Sequence, residues 1–157
     1  MDTKPDSFPA VAKALGYGGT IPFVVLAVCS VAGIELSAVG IDDIKGKLPG
    51  YGAVIISFIG AVHWGIAMQS APAKQNTLFV YSVIPALVAW MWLFFNVRIA
   101  LFGMAITIVA MLFIDRFLLA DIAPQGYLKM RVHLTVIVAL CLLLLSLIHI
   151  SEPTRPY

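Results

Sequence analysis

Few residues in this chain could do chemistry, and those few lie in or beside long apolar runs. His63 sits in FIGAVHWGIAM, Tyr81 in FVYSVIPAL, Asp115 in MLFIDRF, and Arg131 and His133 in LKMRVHLT. An imidazole in hydrocarbon can pass a proton, contact a ligand, or stay neutral on one hydrogen bond, and charged groups there are driven to pair. His63, Tyr81, Asp115, Arg131 and His133 therefore make up the candidate ligand or proton cluster. Arg131 has two readings, an ion pair with Asp115 or a side chain snorkelling to lipid headgroups. His63 and His133 could also serve as axial haem ligands, a less favoured reading because b-type haem proteins are expected to show spaced histidines on two helices. Paired acids, HExxH and a P-loop are all missing from the chain, so no catalytic residue, metal ligand or cofactor is assigned and an enzyme is not the favoured class. Cys29 and Cys141 stand inside apolar runs without a CxxC partner, which makes small buried hydrophobes of them rather than a disulfide.

The elements that must position these groups follow from composition. Of 157 residues, 61% are hydrophobic and 11% charged, against roughly 45–50% and about 25% in a soluble domain. A water-soluble globule is excluded, and the lipid bilayer is the expected partner. A helical crossing takes about 20 residues, so five or six helices use up the chain. A formal charge of +2 with scattered Lys and Arg gives no footing for nucleic acid. Backbone groups in hydrocarbon must be satisfied within each segment, so the fold class is all-α, a polytopic bundle of transmembrane helices.

Five apolar segments are predicted, near residues 18–36, 51–69, 77–95, 98–114 and 130–150. The string GIDDIKGKLPG is expected to break the chain between the first two. The domain reading is an N-terminal polar or amphipathic segment over 1–17, a multi-span membrane domain over 18–144, and a tail over 145–157. In that tail Leu145–Arg155 reads LSLIHISEPTR, which matches the in-frame translation of a transposase adapter, so the tail is expected to be non-native and to complete the last helix. The N-terminus, with Asp2 and Asp6, makes a poor transit peptide. Counting Lys and Arg per side gives six on the side of the N-terminus and three opposite once Arg155 is set aside. Positive charge favours the cytoplasm, so the N-terminus is placed inside. On that topology His63 lies about 9 Å and Tyr81 about 6 Å from the inner helix ends at 1.5 Å per residue, and the five cluster residues share one leaflet.

Ala53, Ser57, Ala61 and Gly65 recur every four residues on the second segment, a small-residue seam that predicts close helix packing. Trp90, Trp92, Phe94, Phe95 and Tyr51 lie at the opposite membrane face and read as an interfacial aromatic belt.

The strings LGYGGTIPF (15–23), YGAVIISFIGAVHWG (51–65), YSVIPALVAW (81–90) and YLKMRVHLT (127–135) resemble the transmembrane protein 69-like family, also known as domain of unknown function 3429. The resemblance covers residues 10–144, and HWG after an apolar run is its most specific piece. Ala61 stands where a second glycine is common, Gly126 replaces an aromatic residue, and Met130 replaces a leucine. The resemblance implies a small multi-span protein of bacterial inner membranes or, as the less favoured location, mitochondria, and supplies no activity. The function expected is thus a non-catalytic membrane or assembly-type protein, with a second copy or another membrane protein as partner. The alternative is proton or small-solute permeation through the inner-leaflet cluster.

Overall fold

The computed structural model describes residues 9–34, 44–123 and 126–148. Within them the chain is all-helical: α1 Ala10–Gly18, α2 Ile21–Val31, α3 Ile44–Ala67, α4 Pro72–Trp92, α5 Val97–Leu118 and α6 Tyr127–Ile148. Among the described residues four stretches are long and apolar enough to cross a membrane, namely Ala10–Val31, Gly46–Ala67, Val97–Leu118 and Tyr127–Ile148. The fifth long helix, α4, opens on Lys74, Gln75 and Asn76, which shortens its apolar part. Phe58, Phe117 and Leu140 are 70%, 84% and 63% exposed, a surface that lipid accepts and water does not.

The first crossing begins earlier than the segment predicted at Gly18. It starts at Ala10 and is broken after Gly18 by Gly19 and Thr20, so part of the stretch assigned to the N-terminal segment is helical. In hydrocarbon such a break needs its carbonyls satisfied. The Thr20 hydroxyl donates to the Tyr17 carbonyl at 2.7 Å and the Tyr51 hydroxyl to the Gly19 carbonyl at 3.0 Å. The helix then ends in a Schellman closure: Gly33 has φ +67° and the Ile34 amide reaches the Cys29 carbonyl at 2.9 Å. The predicted end near residue 36 lies outside the described residues. The expected break at GIDDIKGKLPG is also narrower than predicted, since α3 is helical from Ile44 with Pro49 inside it. Proline removes the bond to the carbonyl four residues back and its ring crowds that carbonyl, a disturbance that here falls in the second turn of the helix.

Sequential helices pair as antiparallel neighbours, α3 with α4 and α5 with α6, and α2 closes against α6. Leu101, Met104, Ile108, Met111 and Asp115 run down a buried stripe of α5, and Thr135, Val138, Leu142 and Leu145 down one of α6, the helix against which α5 packs most. The Ser146 hydroxyl donates to the Arg98 carbonyl at 3.2 Å, tying the end of α6 to the start of α5. Residues 149–157, most of the tail expected over 145–157, lie outside the described residues.

The packing seam is one register away from the one predicted. Ala61 and Gly65 face outward, and Ala53 and Ser57 are half-buried. The buried face of α3 is Gly52, Ile56, Gly60, His63 and Ala67. A Cβ on Gly60 would stand 2.6 Å from the Ser82 carbonyl oxygen, whereas Gly65 has nothing within 4 Å. Two small-residue registers coexist on this helix, and the backbone of α4 selects the one containing glycine. The aromatic belt needs a similar correction. Trp90, Phe94 and Phe95 are exposed, but Trp92 turns inward, its Nε1 donating to the Thr107 hydroxyl at 3.1 Å while its ring occupies the space a side chain at Gly103 would need. Tyr51 is likewise drawn inward by the Gly19 carbonyl.

Candidate functional site

Four of the predicted cluster residues meet inside the bundle, each from a different helix. Asp115 lies one turn before the end of α5 and is fully buried. Its Oδ2 accepts from Arg131 Nε at 2.9 Å. Arg131, in the second turn of α6 and 3% exposed, also donates from Nη1 to the Thr135 hydroxyl one turn further on, at 2.8 Å. Arg131 therefore pairs inward rather than snorkelling. The other carboxylate oxygen, Oδ1, is 3.0 Å from His63 Nε2, close enough for electrostatic attraction but without hydrogen-bond alignment. His63 is fully buried on the inner face of α3, where Nδ1 lies 3.3 Å from the Ile59 carbonyl oxygen.

The two imidazole contacts compete for protons. Both partners are acceptors, and a neutral ring carries a single N–H. A proton on Nδ1 donates to the Ile59 carbonyl, whereas a proton on Nε2 faces the nearer carboxylate without hydrogen-bond alignment. Tyr81 on α4 completes the group. Its ring meets the His63 ring edge-on, with centroids 4.8 Å apart at 80°. Pro85 follows one turn later on α4 and cannot donate to the Tyr81 carbonyl, so a helical irregularity sits beside the cluster. Ala67, Leu78, Leu119 and Tyr127 pack over this end of the bundle and separate it from the surface.

His133 is not part of the group. It is exposed, and its Nδ1 lies 3.3 Å from the Tyr17 hydroxyl of α1. Two residues beyond Arg131 on a helix means about 200° of rotation, so a side chain at that position leaves by the opposite face. The haem reading that paired His63 with His133 is thereby corrected: one ring is enclosed among α3, α4 and α5 while the other looks outward. Among the described residues no three His, Cys, Asp or Glu side chains gather in a way that could hold a metal, and Cys29 and Cys141 are both free.

Thr135 and Tyr127 belong to the site and were not among its predicted members. Each lies four residues from Arg131, and both are buried. That i, i±4 spacing was the available signal: Arg131 in a membrane helix needs partners for its N–H groups, and the nearest are one turn away on its own face.

A helical bundle of bilayer-crossing length, apolar on its outer surface and closed around a small polar network, is a polytopic integral membrane protein. Residues 8–147 match the family described as "Protein of unknown function (DUF3429)". The chain belongs to that family. It is also 37% identical over 91 residues to Transmembrane protein 69 of Xenopus tropicalis, an alignment covering 56% of this chain and 34% of that protein. The chain thus matches about a third of that relative's length. No solved structure gives a significant match.

Proposed function

We propose that the protein is a non-catalytic membrane protein of the assembly or scaffolding type, resident in the bacterial inner membrane with its N-terminus in the cytoplasm. The observation that supports this reading is the mutual commitment of the buried polar groups: Asp115 is held by both Arg131 and His63, and all three are at most 3% exposed. With a neutral imidazole the group carries no net charge, which is the state hydrocarbon favours. Its effect is to lock α3, α5 and α6 together at one end of the bundle. The surplus of Lys and Arg on the N-terminal side supports the orientation.

A scaffold needs an outward face, and the unused half of the small-residue register on α3, Ala61 and Gly65, is such a surface. Single cysteines at Gly65 and, as a lipid-facing control, at Phe117 would be introduced after replacing Cys29 and Cys141. Cross-linking in native membranes is expected at Gly65 and not at Phe117. A chain that remains monomeric and partner-free after gentle solubilisation, with no cross-link at either position, overturns the reading.

One observation favours proton or small-solute permeation as a second reading: four helices deliver His63, Tyr81, Asp115 and Arg131 to one place. Proton flux in reconstituted vesicles would then fall with His63→Ala, and unchanged flux removes the idea.

A further inference from the structure

Half of the Arg131 fork is unused. In a guanidinium the Nε–H and one Nη2–H bond point the same way, a pair of donors spaced to take both oxygens of one carboxylate. Asp115 fills one of the two places: its Oδ2 accepts from Nε at 2.9 Å, while Nη2 is buried with no hydrogen-bond partner among the described residues. The oxygen that would fill the other, Oδ1, is turned instead to His63 Nε2 at 3.0 Å, where it too lacks an aligned hydrogen bond. One carboxylate oxygen thus has two claimants, on α3 and α6, and is bonded firmly to neither.

What decides between them is the proton on the ring. A doubly protonated imidazole donates from Nδ1 to the Ile59 carbonyl and also sets a positive N–H against Oδ1, which holds the carboxylate toward α3. A neutral ring that keeps its aligned bond to Ile59 carries its one proton on Nδ1. Its Nε2 lone pair then faces Oδ1 at 3.0 Å, a contact between two acceptors and so a repulsive one. A carboxylate turns about its Cβ–Cγ bond over a broad range, and Nη2 offers Oδ1 the alternative. Charge favours the same exchange. Once the ring is neutral, Asp115 and Arg131 cancel as a closed pair, the arrangement hydrocarbon tolerates best.

The surroundings hold few other groups that titrate. Asp115 from α5 and Tyr81 from α4 face the ring directly, and Arg131 and Tyr127 from α6 complete the cluster. Within two turns of His63, α3 itself brings no further titratable side chain. We infer that Asp115 is a two-position carboxylate whose position is set by the proton on His63. With the ring charged, Oδ1 belongs to α3 and the carboxylate bridges α3 to α6, the position the structure shows. With the ring neutral and its proton on Nδ1, both oxygens close on Nε and Nη2 of Arg131, and α3 is held to α5 by packing alone. A proton is thereby the effector of the polar contact between α3 and the α5–α6 pair. This regulation goes beyond the scaffolding role, which stands or falls on the Gly65 cross-link.

The test is nuclear magnetic resonance of the full chain in lipid nanodiscs, with nitrogen-15 in the histidine and arginine side chains. Ring nitrogen shifts report the proton on His63. Hydrogen exchange at Arg131 Nη2, taken relative to the exposed Arg116, reports whether Oδ1 has arrived there. Protection at Nη2 should rise about ten-fold as His63 gives up its proton between about pH 5 and pH 9, the size expected of one charge-assisted hydrogen bond. His63→Leu, with nothing to hold Oδ1, should show the protected value at every pH. His63→Gln keeps an N–H donor and has no proton to lose, so it should show the unprotected value throughout. Protection that stays constant while the ring titrates overturns the proposal, as does a ring that keeps one protonation state over the whole range. Should His63→Leu not fold, the wild-type titration and His63→Gln still decide.

Discussion

Where α5 begins, Trp92 lies across Gly103 and donates to Thr107, and Gly52 lets Met104 approach α3. Where α5 ends, Asp115 receives Arg131 and His63. The first region is held by shape, with side chains filling space that glycines leave open and one directed hydrogen bond. The second is held by charge and polarity in a place where neither can be left alone. In lipid, apolar side chains gain little by leaving the solvent, so helices associate through close packing and polar contacts. The two ends of α5 divide those two means between them. The difference is one of consequence: a lost packing contact is a partial loss, but a lost ionic partner leaves a charge in hydrocarbon.

The largest effect should come from breaking the polar end on one side only. Asp115→Leu leaves Arg131 without its counterion and is expected to destabilise the bundle by about 3–5 kcal/mol, as is Arg131→Leu. Thermal unfolding in detergent, followed by helical circular dichroism, measures it. The double variant Asp115→Leu/Arg131→Leu should recover most of the loss, because no unpaired charge remains. Failure to recover would mean that the pair is used for more than neutralising itself.

Next in size is the closest backbone approach. Gly60→Ala sets a methyl group 2.6 Å from the Ser82 carbonyl oxygen and must push α3 from α4, at about 1–3 kcal/mol. Gly52→Ala meets only the Met104 sulfur, at 2.7 Å, and a flexible thioether can move aside. The same unfolding experiment should therefore rank Gly60→Ala well below Gly52→Ala in stability, and equal behaviour would show that the helices are free to separate.

A smaller change is expected from Trp92→Phe, which keeps most of the ring over Gly103 and removes the donor to Thr107, for about 1 kcal/mol. Smallest of all, Ala61→Leu on the outward face should shift the stability of the isolated chain by no more than about 0.5 kcal/mol. A larger loss there would place the packing seam back in the register read from the sequence.

How much could be read beforehand differs between helices. The crossings of α3, α5 and α6 were legible because an apolar run of bilayer length has few other structures open to it. The first was misplaced because Gly18, Gly19 and Pro22 look like a beginning, whereas the hydroxyls of Thr20 and Tyr51 bridge the break and let the helix on either side continue as one crossing. Within the site, Asp115 and Arg131 could be matched by depth and opposite charge. His133 shares that depth and was grouped with them, but depth is a coordinate along the axis and says nothing about rotation around it. The seam on α3 failed for the same reason, since Gly60 and Ala61 are neighbours at one depth on different faces.

Apolar content and run length alone settled that the medium is a bilayer, that the elements are helices, and which few polar residues lie within it, because hydrocarbon leaves a peptide backbone almost no alternative. Tertiary structure decided which face of each helix looks inward. That choice turns on single close approaches, the Ser82 carbonyl against Gly60 and the Trp92 ring against Gly103. Such contacts are fixed by two helices at once, and a pattern on either one alone fits more than one rotation.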